Sequence, residues 1–117
     1  MHEMALAEGV RSIVDNAARA HRIRGLEAVV LEIGQLSCVD PEALRFALGL
    51  ALRGSAAERA RIEIESIPGE GWCLACDRNV PLASRADACP SCGSHRIQPL
   101  RGTEMRVREL LLQKNRQ

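Results

Sequence analysis

CLACDRNVPLASRADACPSC, residues 73–92, carries four of the chain's five cysteines in the spacing C-x₂-C-x₁₂-C-x₂-C. Two thiolates three residues apart converge on one ion from a single tight turn. Two such knuckles place four sulfurs at the corners of a tetrahedron, which suits Zn²⁺ with no open position. Cys73, Cys76, Cys89 and Cys92 are therefore read as ligands of a structural zinc. From Trp72 to about Arg101 no helical or strand period is long enough to bury a core. Roughly thirty such residues need a staple. Bound zinc contributes about 10–16 kcal/mol of apparent binding free energy, which becomes folding free energy. Arg78, Arg85 and Arg96 would offset the negative charge of the site. Two disulfides, or a pair of redox CxxC motifs, are the competing readings. Four thiolates complete the coordination and leave His95, three residues after Cys92, outside it.

Moving outward, the pattern breaks at "PGEG", Pro68 to Gly71, and resumes after Gly102 with the strand-like "EMRVRELLL". Before the break, Leu6, Val10, Ile13, Val14, Ala17 and Ala18 mark one face of a helix from Met4 to about His21, with Gly25 ending the segment. "LEAVVLEIG" is rich in β-branched residues and reads as a strand with Val29, Leu31 and Ile33 on one side. "DPEALRFALGLALRG" reads as a second helix: Asp40 at the N-cap, Pro41 at the first helical position, Glu42 in the first turn and Gly54 beyond the end. Leu44, Leu48, Ala51 and Leu52 form its buried stripe, widened by Phe46 and Leu50. In "ARIEIESI", Ile62 and Ile64 alternate with Arg61, Glu63 and Glu65, a strand with one face in water. The order is helix, strand, helix, strand, cysteine module, closing strand. The last strand returns to the first domain. The expected division is 1–67, an inserted module over 68–101, and a closing strand with tail over 102–117, where Lys114 to Gln117 reads as a solvated end.

Sixteen Lys and Arg against fifteen Asp and Glu leave the chain nearly neutral. A dedicated nucleic-acid binder normally shows a marked basic excess and stacking aromatics. Phe46 and Trp72 are the only aromatics here, so a nucleic-acid-binding zinc ribbon is the weaker alternative. A thiol oxidoreductase is the third, and it would need a low-pKa thiol. No apolar run approaches the roughly 20 residues of a membrane span, and the first residues do not have a signal peptide's pattern. The chain is read as cytoplasmic, where thiols stay reduced. Cys38, the odd cysteine, is expected to pack as a small buried hydrophobe, and His21 to lie on the surface.

The amino terminus reads "MHE". Methionine is usually trimmed only before a small residue, so His2 should leave Met1 in place. The α-amine, the His2 imidazole and the intervening backbone nitrogens then close fused five- and six-membered chelate rings. A helix starting nearby helps, because its first N–H groups have no intrahelical acceptors. Nitrogen-rich, tetragonal coordination suits Ni(II) or Cu(II) better than Zn(II). The plain alternative is an exposed histidine in a frayed end.

Met1-His2-Glu3, "EIGQLSCVDPEAL", the two CxxC pairs and "GTEMRVREL" occur in order over nearly the whole chain. In this set the sequence resembles the HypA/HybF family of nickel-insertion accessory proteins. The resemblance implies an α+β fold: two helices packed on a small three-stranded sheet, with a zinc-ribbon-like module of two CxxC knuckles inserted. It implies nickel held by the Met1 amine, His2 and the backbone nitrogens of His2 and Glu3, with an acidic residue near the metal at Asp40. For Asp40 the bland reading is a helix N-cap worth about 1 kcal/mol. The implied function is a metallochaperone, not an enzyme. It would carry Ni(II) as transient cargo beside a structural Zn(II), and deliver it to the large-subunit precursor of nickel–iron hydrogenase. Expected partners are a HypB-type GTPase, that precursor and a urease accessory protein, with no nucleic acid and no membrane. The chain itself is expected to be a monomer or weak homodimer.

Overall fold

The computed structural model describes residues 2–113, so Met1 and the tail from Lys114 lie outside the described residues. Two helices and six strands follow one another as α1 (Glu3–His21), β1 (Leu26–Gly34), α2 (Pro41–Ala51), β2 (Arg61–Ile67), β3 (Gly69–Cys73), β4 (Arg78–Leu82), β5 (Ile97–Arg101) and β6 (Met105–Leu112). They form two separate three-stranded sheets, ordered β2-β1-β6 and β4-β3-β5.

In the first sheet β1 is central, paired in parallel with β2 through the α2 crossover and antiparallel with β6. The strand after Gly102 thus returns to the first sheet, as its alternating pattern requires. α1 and α2 pack side by side on one face. Ala7, Val10 and Val14 of α1 and Leu44, Ala47 and Leu48 of α2 bury Val29, Leu31 and Ile33 of β1. These positions recur at three and four residues, the period that keeps one helix face on the sheet.

The buried stripes are narrower than the sequence suggests. Ile13 is 47% exposed, Phe46 71% and Leu50 39%. Ala47 takes the core position on α2, and Phe46 and Leu50 fall together on the face turned away from the Leu44–Ala47–Leu48–Ala51 stripe. α1 ends at His21, and Arg22, not Gly25, takes the left-handed position (φ 54°) with its N–H donating to the Ala18 carbonyl. On the helix-free face, Ala28 and Val30 are also buried. There Arg106 pairs with Glu32 at 2.6 Å and Arg108 with Glu65 at 2.7 Å. Such pairs add little by charge at an exposed surface; their aliphatic stems can cover apolar strand positions.

The second sheet corrects the reading of the module as lacking strands. "PGEG" does not end strand structure, because β3 starts at Gly69 with only Pro68 between it and the end of β2. Its inward positions are glycine and cysteine where a β-branched residue would be expected. A Cβ on Gly71 would collide with the Ile97 side chain. The alternation is present, written in residues with low strand propensity.

The two sheets meet at a joint of glycines. A side chain on Gly34 would overlap the Gly102 carbonyl, and one on Gly102 would lie 2.6 Å from the Gly69 Cα. Leu36, just past β1, is buried among Cys73, Val80, Leu82 and Cys89 of the module. Its N–H donates to the Gly102 carbonyl at 2.7 Å, and its carbonyl accepts from Arg85 Nε at 2.9 Å. Beyond it, the chain turns through Cys38 (φ 62°) to Asp40 at the start of α2.

Candidate metal centres

β3 delivers Cys73 at its end and β4 begins five residues later, so Cys76 lies in the turn between them. The Asp77 N–H donates to the Cys73 carbonyl at 2.9 Å, and the Gly93 N–H to the Cys89 carbonyl at 2.8 Å. Asp77 (φ 51°) and Gly93 (φ 76°) are both left-handed. Each follows the second cysteine of its pair, and Gly and Asp are among the residues that enter this region most readily. The two turns are thus equivalent, as two knuckles closing on one centre require.

The four sulfurs lie within 4.8 Å of one another. Cys73 and Cys92 are 3.6 Å apart, and Cys76 and Cys89 3.8 Å. Zn–S bonds of about 2.3 Å in a tetrahedron put sulfurs about 3.8 Å apart, so the cluster fits a closed Zn(Cys)₄ site. A disulfide would bring them to about 2.05 Å, and all five cysteines are free. His95 is exposed and outside the cluster. Arg78 and Arg96 are exposed, while Arg85 bonds the Leu36 carbonyl.

The sulfur pairs share protons unequally. The Cys76 N–H lowers the Cys73 thiol despite burial. Its neighbour Cys92 is pulled down by the Ser94 N–H, but hydrogen bonding to Cys73 and burial outweigh this and raise it. Burial pushes Cys89 up, yet the N–H groups of Cys92 and Ser91 prevail and bring it to about 6. Burial, then hydrogen bonding to Cys73 and Cys89, raises Cys76 to about 12. Each pair therefore sets one lowered thiol against one raised thiol. A metal ion must displace the proton of the second.

At the other end of the molecule, His2 is the N-cap of α1 and the Met4 N–H donates to its Nδ1 at 3.2 Å. Glu3 is the first helical residue. Its Oε2 accepts from the Asp40 N–H at 3.2 Å, and Asp40 Oδ1 accepts from the Glu42 N–H at 3.0 Å. The starts of the two helices are thereby tied together, and the side chain of Glu3 is what ties them. The sequence pointed to the Glu3 backbone and missed this carboxylate, because a contact across 37 residues leaves no local pattern. It also missed His2 as a cap, a position where Ser, Thr, Asp and Asn lead. Asp40 is the cap that its place before Pro41 predicts.

Cys38 corrects another expectation: it is exposed, with its Sγ 4.0 Å from the Leu36 carbonyl. The left-handed turn directs it out of the core. His21 is exposed, as expected. Among the described residues, no helix is long and apolar enough to cross a membrane.

A family model described as "Hydrogenase/urease nickel incorporation, metallochaperone, hypA" matches residues 1–112. The chain is 54% identical to the "Hydrogenase maturation factor HypA" of Azoarcus sp. (strain BH72), over 96% of this chain and 98% of that one. It is 50% identical to the protein of the same name from Dechloromonas aromatica (strain RCB), over 94% and 97%. The fold is similar to that in "Solution structure of the Ni metallochaperone HypA from Helicobacter pylori", with a TM-score of 0.68 at 23% identity, covering 96% and 97% of the two chains.

Proposed function

Since the chain belongs to the HypA family of hydrogenase-maturation nickel metallochaperones, we propose that it carries Ni(II) at a free amino terminus and delivers it to a hydrogenase precursor. In this reading Met1 is retained. Its amine, the His2 imidazole and the backbone nitrogens of His2 and Glu3 hold the metal, with Asp40 beside it. The observation that supports the site is the bond from the Asp40 N–H to Glu3 Oε2. It brings the start of α2 to the start of α1, so an acidic group from one helix stands near chelating atoms from the other. The His2 and Glu3 nitrogens lie at a helix start, where backbone N–H groups have no intrahelical acceptors and cost no helix bond on deprotonation.

Zn(II) in the four-cysteine cluster is structural in this reading: it closes the module and leaves no position for substrate. The division is 1–67 and 102–117 for the nickel-carrying part and 68–101 for the zinc module. The nickel leaves to the large-subunit precursor of nickel–iron hydrogenase, with a HypB-type GTPase as working partner. The family description also names urease, which makes a urease accessory protein the second candidate recipient. The work is cytoplasmic and involves no catalysis. Metal analysis with nickel titration of untagged protein tests the reading. His2→Ala should lose specific nickel binding and keep its fold and one zinc. Undiminished nickel binding in that variant would refute the terminal site.

A further inference from the structure

We propose that nickel and the first turn of α1 compete for one atom, His2 Nδ1, so that loading the metal uncaps the helix and releasing it caps the helix again. This rests on the terminal site proposed above. The Met4 N–H donates to Nδ1 at 3.2 Å. A ring nitrogen accepts only through its lone pair, so this bond occupies the one lone pair of Nδ1.

Chelate geometry demands the same lone pair. With the His2 backbone nitrogen on the metal, Nδ1 closes a six-membered ring through Cα, Cβ and Cγ. Nε2, across the imidazole, cannot reach a metal held by that nitrogen. One sp² lone pair serves one partner, so the Met4 bond must break for Nδ1 to coordinate.

The backbone carries a second conflict. Adding the Glu3 nitrogen closes a five-membered ring through His2 Cα and C, which needs the N–Cα–C–N torsion close to eclipsed. In the folded chain His2 ψ is 132°, which points the Glu3 nitrogen away from the His2 nitrogen. Turning it also moves the His2 carbonyl, which accepts from the Leu6 N–H at 3.2 Å. The full four-nitrogen chelate therefore releases both bonds of the first turn. As it forms, the protons of the two backbone N–H groups leave to solvent. On release the helix recovers its cap, so the imidazole passes from metal to Met4 N–H without remaining unpartnered.

Methionine labelled with ¹⁵N isolates the test. The chain has three methionines; Met1 bears an amine, so Met4 and Met105 give the only labelled backbone amides. Hydrogen exchange is run with and without Ni(II), then quenched and the metal stripped before reading. Nickel should speed Met4 exchange about five-fold, the factor set by loss of a typical cap. Met105, paired with Ile33 in the sheet, should not change. His2→Asp keeps a capping side chain and removes the imidazole, so nickel should leave its Met4 exchange unaltered. Unchanged Met4 exchange in nickel-loaded wild type overturns the competition while leaving the terminal site standing. Equal acceleration in His2→Asp also overturns it. Nickel bound per chain is measured on the same samples. No nickel on wild type, or full nickel on His2→Asp, refutes the terminal site and this inference with it.

Discussion

The four-cysteine cluster is held by two hydrogen-bonded knuckles on a three-stranded sheet, with Cys73 and Cys89 buried. The proposed amino-terminal site rests on one turn of helix and one exposed bond, Asp40 N–H to Glu3 Oε2. The first arrangement has its ligands assembled and is closed around them. The second leaves them reachable and must rearrange to use them. Retention and exchange need opposite constructions, and the proposed function assigns one to each of these two regions.

Breaking the closed site should have the largest effect. Cys73→Ser removes one of four ligands and with it much of the roughly 10–16 kcal/mol that structural zinc contributes. The variant should lose zinc by metal analysis. Trp72, the single tryptophan and the neighbour of Cys73, should shift in fluorescence as the module opens. The helices α1 and α2, which lie outside the module, should keep their circular dichroism.

The joint between the sheets comes next. Gly34→Ala forces a Cβ against the Gly102 carbonyl, and overpacking against backbone costs about 3 kcal/mol. Denaturant unfolding should show that loss, whereas Gly49→Ala, with open space around it, should show none.

Proton release sharpens the contrast. Zinc needs four thiolates, and Cys76 and Cys92 are the two raised thiols. At neutral pH, zinc binding to metal-free protein should therefore release at least two protons, those of Cys76 and Cys92, measured by calorimetry in buffers of different ionisation enthalpy. Cys89 falls from 9.0 to about 6 on folding. Its stabilising contribution to the metal-free module is thus present above pH 9 and lost as pH falls through about 6. Melting temperature should decline over that interval.

Glu3→Gln should have a smaller effect, since it weakens one exposed charge-assisted bond worth about 1 kcal/mol. Stability should drop slightly, and nickel affinity more than zinc affinity. Smallest of all, Phe46→Ser should change stability by less than about 0.5 kcal/mol, since the ring stands outside the core.

These differences follow how each region is encoded. β1, α2 and β2 announce themselves through local period, and the knuckles through spacing, so the first sheet and the sulfur cluster are legible in the chain. β3 to β5 are not, because Gly69, Gly71, Pro81 and Pro99 occupy strand positions and the small core between them is completed by Leu36 from outside the module. Phe46 misleads because a large apolar residue reads as core, while Ala47 has the geometry. Cys38 misleads because its left-handed turn is set by the joint behind it. The Glu3–Asp40 bond is invisible until two distant helix starts are brought together.

The central claim is that the chain's own first amine belongs to the nickel site, and it is tested most directly by acetylating that amine. Nickel titration by calorimetry should show specific binding to protein with a free Met1 and its loss on acetylation, with zinc content unchanged. Equal nickel affinity in the two forms would contradict the account.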